Sequence, residues 1–419
     1  MKKILLLQIL FYSAICFSQT KVNRKVQVKP FIDTTTAEFR HIFGLWEKYL
    51  DTLCVYNMKS HYRIKQTNKS LNSFWTEYDV KKYIYPDLAY SVTASAMSFY
   101  PMEKEYFLGF AHRDTNLFEL KTMFVNLNED VFHNTPDIII SQPVIKKGNT
   151  YKLYNKFSWL QESGKIIKKK LGYISYYYSP LYEFDNKNAA LLVDRIQKFV
   201  EGFQIKKVPE IKYLVGDNMT ELYSWLGIDY YNIDFDANLM SRVEGRAVPV
   251  NNMILSGNGG ENYMHEIIHI LLKGMRTGNY NFFEEGIACY FGEHVGHSYL
   301  YHVKRLKQYF KNNKWIDLSK NLTFYYKNAE VNHSYKPLNK DNPATDYKGY
   351  GDDTTYFTYI INSVLCDMAF RKGGYDLVKK MLTAKAENVE EFYPVIEKYL
   401  GIKRKDVDKE IKKYIDRNY

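Results

Sequence analysis

Three side chains in this chain stand at a spacing that suits metal chemistry: His265 and His269, four residues apart, with Glu266 beside the first. They lie in Glu261-Asn-Tyr-Met-His-Glu-Ile-Ile-His-Ile-Leu-Leu-Lys-Gly274, which follows the turn sequence Gly257-Asn-Gly-Gly260 and closes on a glycine. That pattern predicts one short helix with a left-handed C-terminal cap. Residues four apart share a helix face, so both imidazoles can reach one zinc ion. Glu266 points off that face and is placed to act on a water held by the ion. Ile267, Ile268, Ile270, Leu271 and Leu272 make most of the other sides apolar, so the helix is expected to be buried and its polar edge compensated. A cation would compensate it. Two core histidines that only hydrogen-bond are the alternative.

A second stretch, Asn281-Phe-Phe-Glu-Glu-Gly-Ile-Ala-Cys-Tyr-Phe291, reads as another helix with carboxylates near its start. A catalytic zinc site needs three protein ligands and one open position. Together the two stretches resemble the gluzincin metallopeptidases, including the aminopeptidase N family and the looser peptidase-MA-like group. The resemblance covers roughly residues 206–419 and is sharp only in these two helices. In those families a Glu directly before a Gly supplies the third ligand, which implies Glu285 here, with Glu284 as the other candidate. Zn2+ as cofactor and Glu266 as general base, then general acid, are implied likewise. So is a tyrosine hydroxyl as the second electrophile, carried over to Tyr359 ahead of the late helix at 363–373, with Tyr356 the alternative. The resemblance further implies that the strand before the zinc helix, residues 248–254, takes an extended peptide as an added strand. The metzincin pattern would want Gly at 272 and His at 275, where this chain has Leu272 and Met275. No Gly-x-Met-x-Asn element precedes the zinc helix, and Gly245-Arg-Ala247 is only a partial echo, which argues against aminopeptidase activity.

The elements that must position these groups are set out along 419 residues, enough for two or three domains. Residues 1–18 read as a secretory signal, with Lys2 and Lys3, an apolar run at 4–11, then small residues before a cut after Ser18. The run is too short to span a bilayer. An exported protein is expected, with lipid anchoring through Cys16 as a minor alternative. The net charge of +11 arises from short, scattered Lys runs, which read as solvated faces and not as a nucleic-acid surface. Cys54, Cys289 and Cys366 are isolated in apolar stretches, so they read as small buried residues and not as a disulfide framework or ligands. No stretch approaches transmembrane length.

Residues 36–62 carry apolar side chains at helical spacing. From Leu88 the period changes to two through Tyr90, Val92, Ala94 and Ala96, and further strand-like runs follow at 106–111, 118–125, 137–141, 150–159 and 171–178. Helical spacing returns at 189–203. The second half opens with a strand at 211–215 and a helix at 218–226 with Asn218 and Glu221 as a capping box. A strand at 247–256 then runs into the zinc helix. Beyond Glu285 helices are expected at 298–312, 356–371, 375–383, 389–400 and 406–415. Residues 321–353 form a long polar, tyrosine-rich segment that reads as a lid, a substrate wall or a disordered loop. His294 and His297 read as surface histidines, with a supporting place beside the zinc as the alternative.

The expectation is an α+β chain: a signal at 1–18, a helix plus antiparallel sheet domain at 19–205, and a mostly helical, zincin-like catalytic domain at 206–419. Its expected function is hydrolysis of a peptide or protein substrate by a zinc-activated water. The alternatives are an inactive peptidase-like binding protein, or a zinc hydrolase for a non-peptide ester, amide or epoxide.

Overall fold

The computed structural model describes residues 25–60, 69–93, 104–125, 136–231, 245–248, 251–257, 259–294, 296–312, 316–320, 322, 350–352 and 355–419. The signal expected at 1–18, with Cys16, and most of the segment 321–353 lie outside the described residues. The fold is α+β, and the chain forms two compact units, residues 1–159 with 226–235, and residues 160–225 with 236–419.

In the first unit, β1 (Lys25–Val28) leads to α1 (Ala37–Ser60), whose Thr36 hydroxyl accepts from Phe39 N at its start. Phe39, Ile42, Trp46, Tyr49, Leu50 and Leu53 of α1 are buried, and Trp46 Nε1 donates to Thr122 Oγ1 in the sheet. After α2 (Glu77–Lys82) comes α3 (Leu88–Thr93), where alternation predicted a strand. The reason is local: Asp87 Oδ1 accepts from Tyr90 N and its carbonyl from Ser91 N, which starts a helical turn that the period-two pattern cannot override. Ala94 and Ala96 lie outside the described residues.

The sheet then runs β2 (Lys104–Asp114), β3 (Leu117–Val125), β4 (Pro136–Lys147) and β5 (Thr150–Leu153) in antiparallel succession, with β1 added parallel to β2. A further strand, Ile228–Tyr231, also pairs with β4. The strand expected over 150–159 stops at Leu153, because Asn155 Oδ1 accepts from Phe157 N and Ser158 N and opens α4 (Lys156–Glu162).

The second unit is built on a five-stranded sheet. Its strands are β6 (Ile167–Leu171), β7 (Ile174–Tyr178), β8 (Ile211–Val215), β9 (Gly245–Val248) and β10 (Met253–Ser256), ordered β9-β10-β8-β7-β6. The three inner strands are parallel; β9 and β6 are antiparallel edges. The strand expected at 171–178 is β7, its first residues forming the turn from β6 at Gly172, at φ +53°. The single strand expected at 247–256 is a hairpin, folding back so that Ala247 pairs with Ile254. Asn252, at φ +49°, marks that second turn.

Between β7 and β8 lies α5 (Asn186–Phe203), capped by Asp185 through Lys187 N and Asn188 N. In α6 (Met219–Trp225) Asn218 Oδ1 accepts from Glu221 N, while Glu221 reaches Asp217 N, one residue before the partner that a capping box requires. The predicted zinc helix is shorter than expected: a 3-10 turn at Gly260–Asn262 precedes α7 (His265–Leu271), and Gly274 has the positive φ of the expected cap. Next come α8 (Phe282–Phe291), α9 (Tyr299–Asn312), α10 (Phe357–Leu382), α11 (Val389–Leu400) and α12 (Val407–Asn418). Gly373 and Gly374 break α10 into the two expected helices.

Buried side chains of β7, β8 and β10 join those of α5, α7, α8 and α10 in one core, including Tyr176, Phe199, Tyr213, Ile254, Ile267, Phe283 and Ile361. Hence β6, β7 and α5 belong with the metal-site candidates, and the division falls near residue 160 and not at 205. Among the described residues no helix is long and apolar enough to cross a membrane.

One buried carboxylate anchors the first unit. Asp79 is fully buried and accepts from Thr76 Oγ1 at 2.8 Å, Asn155 N at 2.9 Å and Ser158 Oγ at 2.7 Å. Asp79→Ala leaves these donors unmet and should cost about 3 kcal/mol in denaturant unfolding. Burial pushes the Asp79 carboxyl up, despite those hydrogen bonds. Its protonated form is therefore the one the fold favours. Stability relative to Asp79→Asn should be highest below the ordinary carboxylate pKa and fall as pH rises through the raised one, as read by urea midpoints.

Candidate metal centre

Two helices meet to make the site. On α7, His265 and His269 project from one face, their ring centroids 5.2 Å apart. On α8, Glu285 Oε2 lies 3.5 Å from His265 Nε2 and 3.5 Å from His269 Nε2. One donor atom from each of the three falls within 4.8 Å of the others. Ligand atoms around a tetrahedral zinc with bonds of about 2.0–2.1 Å stand about 3.3 Å apart, so the observed spacing fits a cation between them.

Glycines let the helices approach. A Cβ on Gly286 would sit 2.4 Å from the Asn362 carbonyl carbon, so the residue after Glu285 must be glycine for α8 to lie against α10. A Cβ on Gly292 would sit 2.9 Å from His265 N, where the end of α8 abuts the start of α7.

The other ring nitrogens are engaged. His265 Nδ1 donates to the Glu293 carbonyl at 2.7 Å, and His269 Nδ1 meets Glu284 Oε1 at 2.9 Å. A carbonyl can only accept, so the proton of neutral His265 sits on Nδ1 and its lone pair on Nε2, facing Glu285. Glu293 also accepts from Met264 N at 2.5 Å and from Arg195 Nη2 at 2.7 Å, while Arg195 Nη1 reaches Asn262. These bonds fix the entry of α7 and hence the aim of His265. Glu284, the second candidate for third ligand, is instead the partner of His269 and lies 3.5 Å from Arg276.

The electrostatics fit a site for a cation. Burial opposes charge on His265, yet the Cys289 thiol and the Glu285 carboxylate hold its pKa well above the usual imidazole range. Burial also opposes charge on His269, and Glu285 and Glu284 outweigh it. Glu285 is driven far down by the two imidazoles although burial favours its neutral form. Protons and a cation compete for the same lone pairs, so a metal must expel protons to enter.

Glu266 points off the ligand face, and its Oε2 accepts from Ala247 N in the edge strand β9 at 2.7 Å. The Tyr359 ring, half-buried on α10, is 5.7 Å from the His294 ring and 6.2 Å from Phe282. The Tyr356 side chain lies outside the described residues. His294 is buried, contrary to the expectation of a surface histidine, and its ring is 5.9 Å from that of His265. His297 stays half-exposed and stacks on Tyr301 at 4.0 Å.

Sequence reasoning missed Glu293, Arg195 and Cys289. Cys289 follows Glu285 by one helical turn, a spacing that could have placed it on the site's face. Nothing local marks the other two. No family model matches this chain, and a search of curated proteins likewise finds no match.

Because Glu284 orients His269, Glu284→Ala should weaken metal affinity by about 10- to 100-fold without removing a ligand, as measured by competition with a chromophoric chelator. Unchanged affinity would deny Glu284 that role.

Proposed function

We propose that this protein is an exported zinc-dependent peptidase of gluzincin type. One observation carries the reading: His265 Nε2, His269 Nε2 and Glu285 Oε2 converge on one point, with Glu266 beside them and outside the ligand set. His265, His269 and Glu285 would hold the ion, two neutral imidazoles and one carboxylate leaving a vertex open. Zinc so held would supply Lewis acidity, bringing the pKa of a water down toward neutrality and polarising a carbonyl.

The chain's own groups do the rest. Glu266 is held by Ala247 N through Oε2, which leaves Oε1 to take a proton and return it to the leaving amine. The substrate carbonyl needs a second donor, and Tyr359 is the assigned hydroxyl, supported by its ring lying beside His294. Substrate backbone is assigned to the outer edge of β9, residues 245–248, since β10 is enclosed between β9 and β8. Ala247 thereby links the strand that would align a peptide to the carboxylate that would act on it.

Metal analysis of the purified protein should give one zinc per chain, lost in His265→Ala/His269→Ala. Glu266→Gln should keep that zinc while peptide hydrolysis falls by roughly a thousandfold. Hydrolysis that survives in Glu266→Gln removes the base from its role, and zinc that survives the double substitution removes the site.

A further inference from the structure

A second donor set lies against the first. His265, Cys289 and His294 are all buried, and one donor atom from each lies within 4.8 Å of the others. Cys289 is fully buried on α8, one turn beyond Glu285. His294 Nε2 is buried without a hydrogen-bond partner among the described residues, which for a polar atom at this depth calls for an unseen partner.

We propose that His265, Cys289 and His294 form an alternative binding position for a soft, thiophilic cation, exclusive of the zinc position. The exclusivity follows from one atom. His265 Nδ1 is committed to the Glu293 carbonyl, so Nε2 has the ring's only available lone pair, and one lone pair serves one ion. The first set offers two nitrogens and a carboxylate oxygen; the second offers two nitrogens and a sulfur. Thiolate donors select softer ions, so the nature of the cation decides which set holds it. Cys289 binds as thiolate, and its proton passes to the buffer as the cation enters. The proposal shares His265 with the peptidase reading but does not depend on Glu285 or on any activity.

The test is titration of the full-length protein with Cd2+ under a non-thiol reductant, followed by thiolate-to-cadmium charge-transfer absorption in the near ultraviolet. The band should grow to one equivalent. It should persist in Glu285→Gln and in Cys54→Ser/Cys366→Ser, disappear in Cys289→Ser and Cys289→Ala, and need at least tenfold more Cd2+ in His294→Ala. Protein preloaded with zinc should release it in step with the band. No band in the wild-type protein, or a band unchanged in both Cys289 variants, overturns the proposal. A band that forms while the zinc is fully retained overturns its exclusivity. Loss of zinc binding in Glu285→Gln with the cadmium band intact separates this position from the peptidase site.

Discussion

The second unit depends on one constraint: two imidazoles, one of them buried, and a carboxylate must be packed side by side at the meeting of α7 and α8. Polar groups taken from water need partners, and here each imidazole has one nitrogen fixed by the protein, leaving the other free to converge. The surroundings serve that arrangement. Gly286 admits α10, Gly292 admits the start of α7, and Arg195 from α5 holds Glu293 where its carbonyl meets His265. Burial deepens the effect, because every charge in this place is strengthened by the low dielectric around it.

Much of this is legible in the chain, and its limits are physical. The His265, Glu266 and His269 triplet can be read because helical periodicity is local and four residues make nearly one turn. Glu285 required the likeness to gluzincins, and the geometry brings it against both imidazoles. Glu293 and Arg195 could not be read, since a backbone carbonyl as partner leaves no trace in residue type. Cys289 misled because a buried thiol between apolar neighbours looks the same whether or not it faces a polar site.

The errors of fold have similar causes. Tyr90 and Val92 alternate with polar neighbours as a strand would, yet Asp87 ahead of them accepts from the backbone and turns the chain into helix. In residues 247–256 the apolar content suggested continuity, while Asn251-Asn252 carried the turn signal, Asn252 taking a positive φ that asparagine tolerates better than most residues. Where side-chain hydrogen bonds to backbone compete with periodicity, short elements follow the hydrogen bond. Long amphipathic elements such as α1 and α5 follow the pattern.

The chain order of the second unit has a practical consequence. Because β6, β7 and α5 precede residue 206 but share a sheet and core with β8, a protein expressed from residue 206 onward would lack β7, one of the two parallel neighbours of β8. It would expose Ile211, Tyr213 and Val215 to water and lose the arginine that steadies the start of α7. Residues 226–235, grouped with the other unit, interrupt the sequence as well. No single continuous excision therefore yields the second unit alone, and any dissection of this molecule must respect a border that the polypeptide crosses three times.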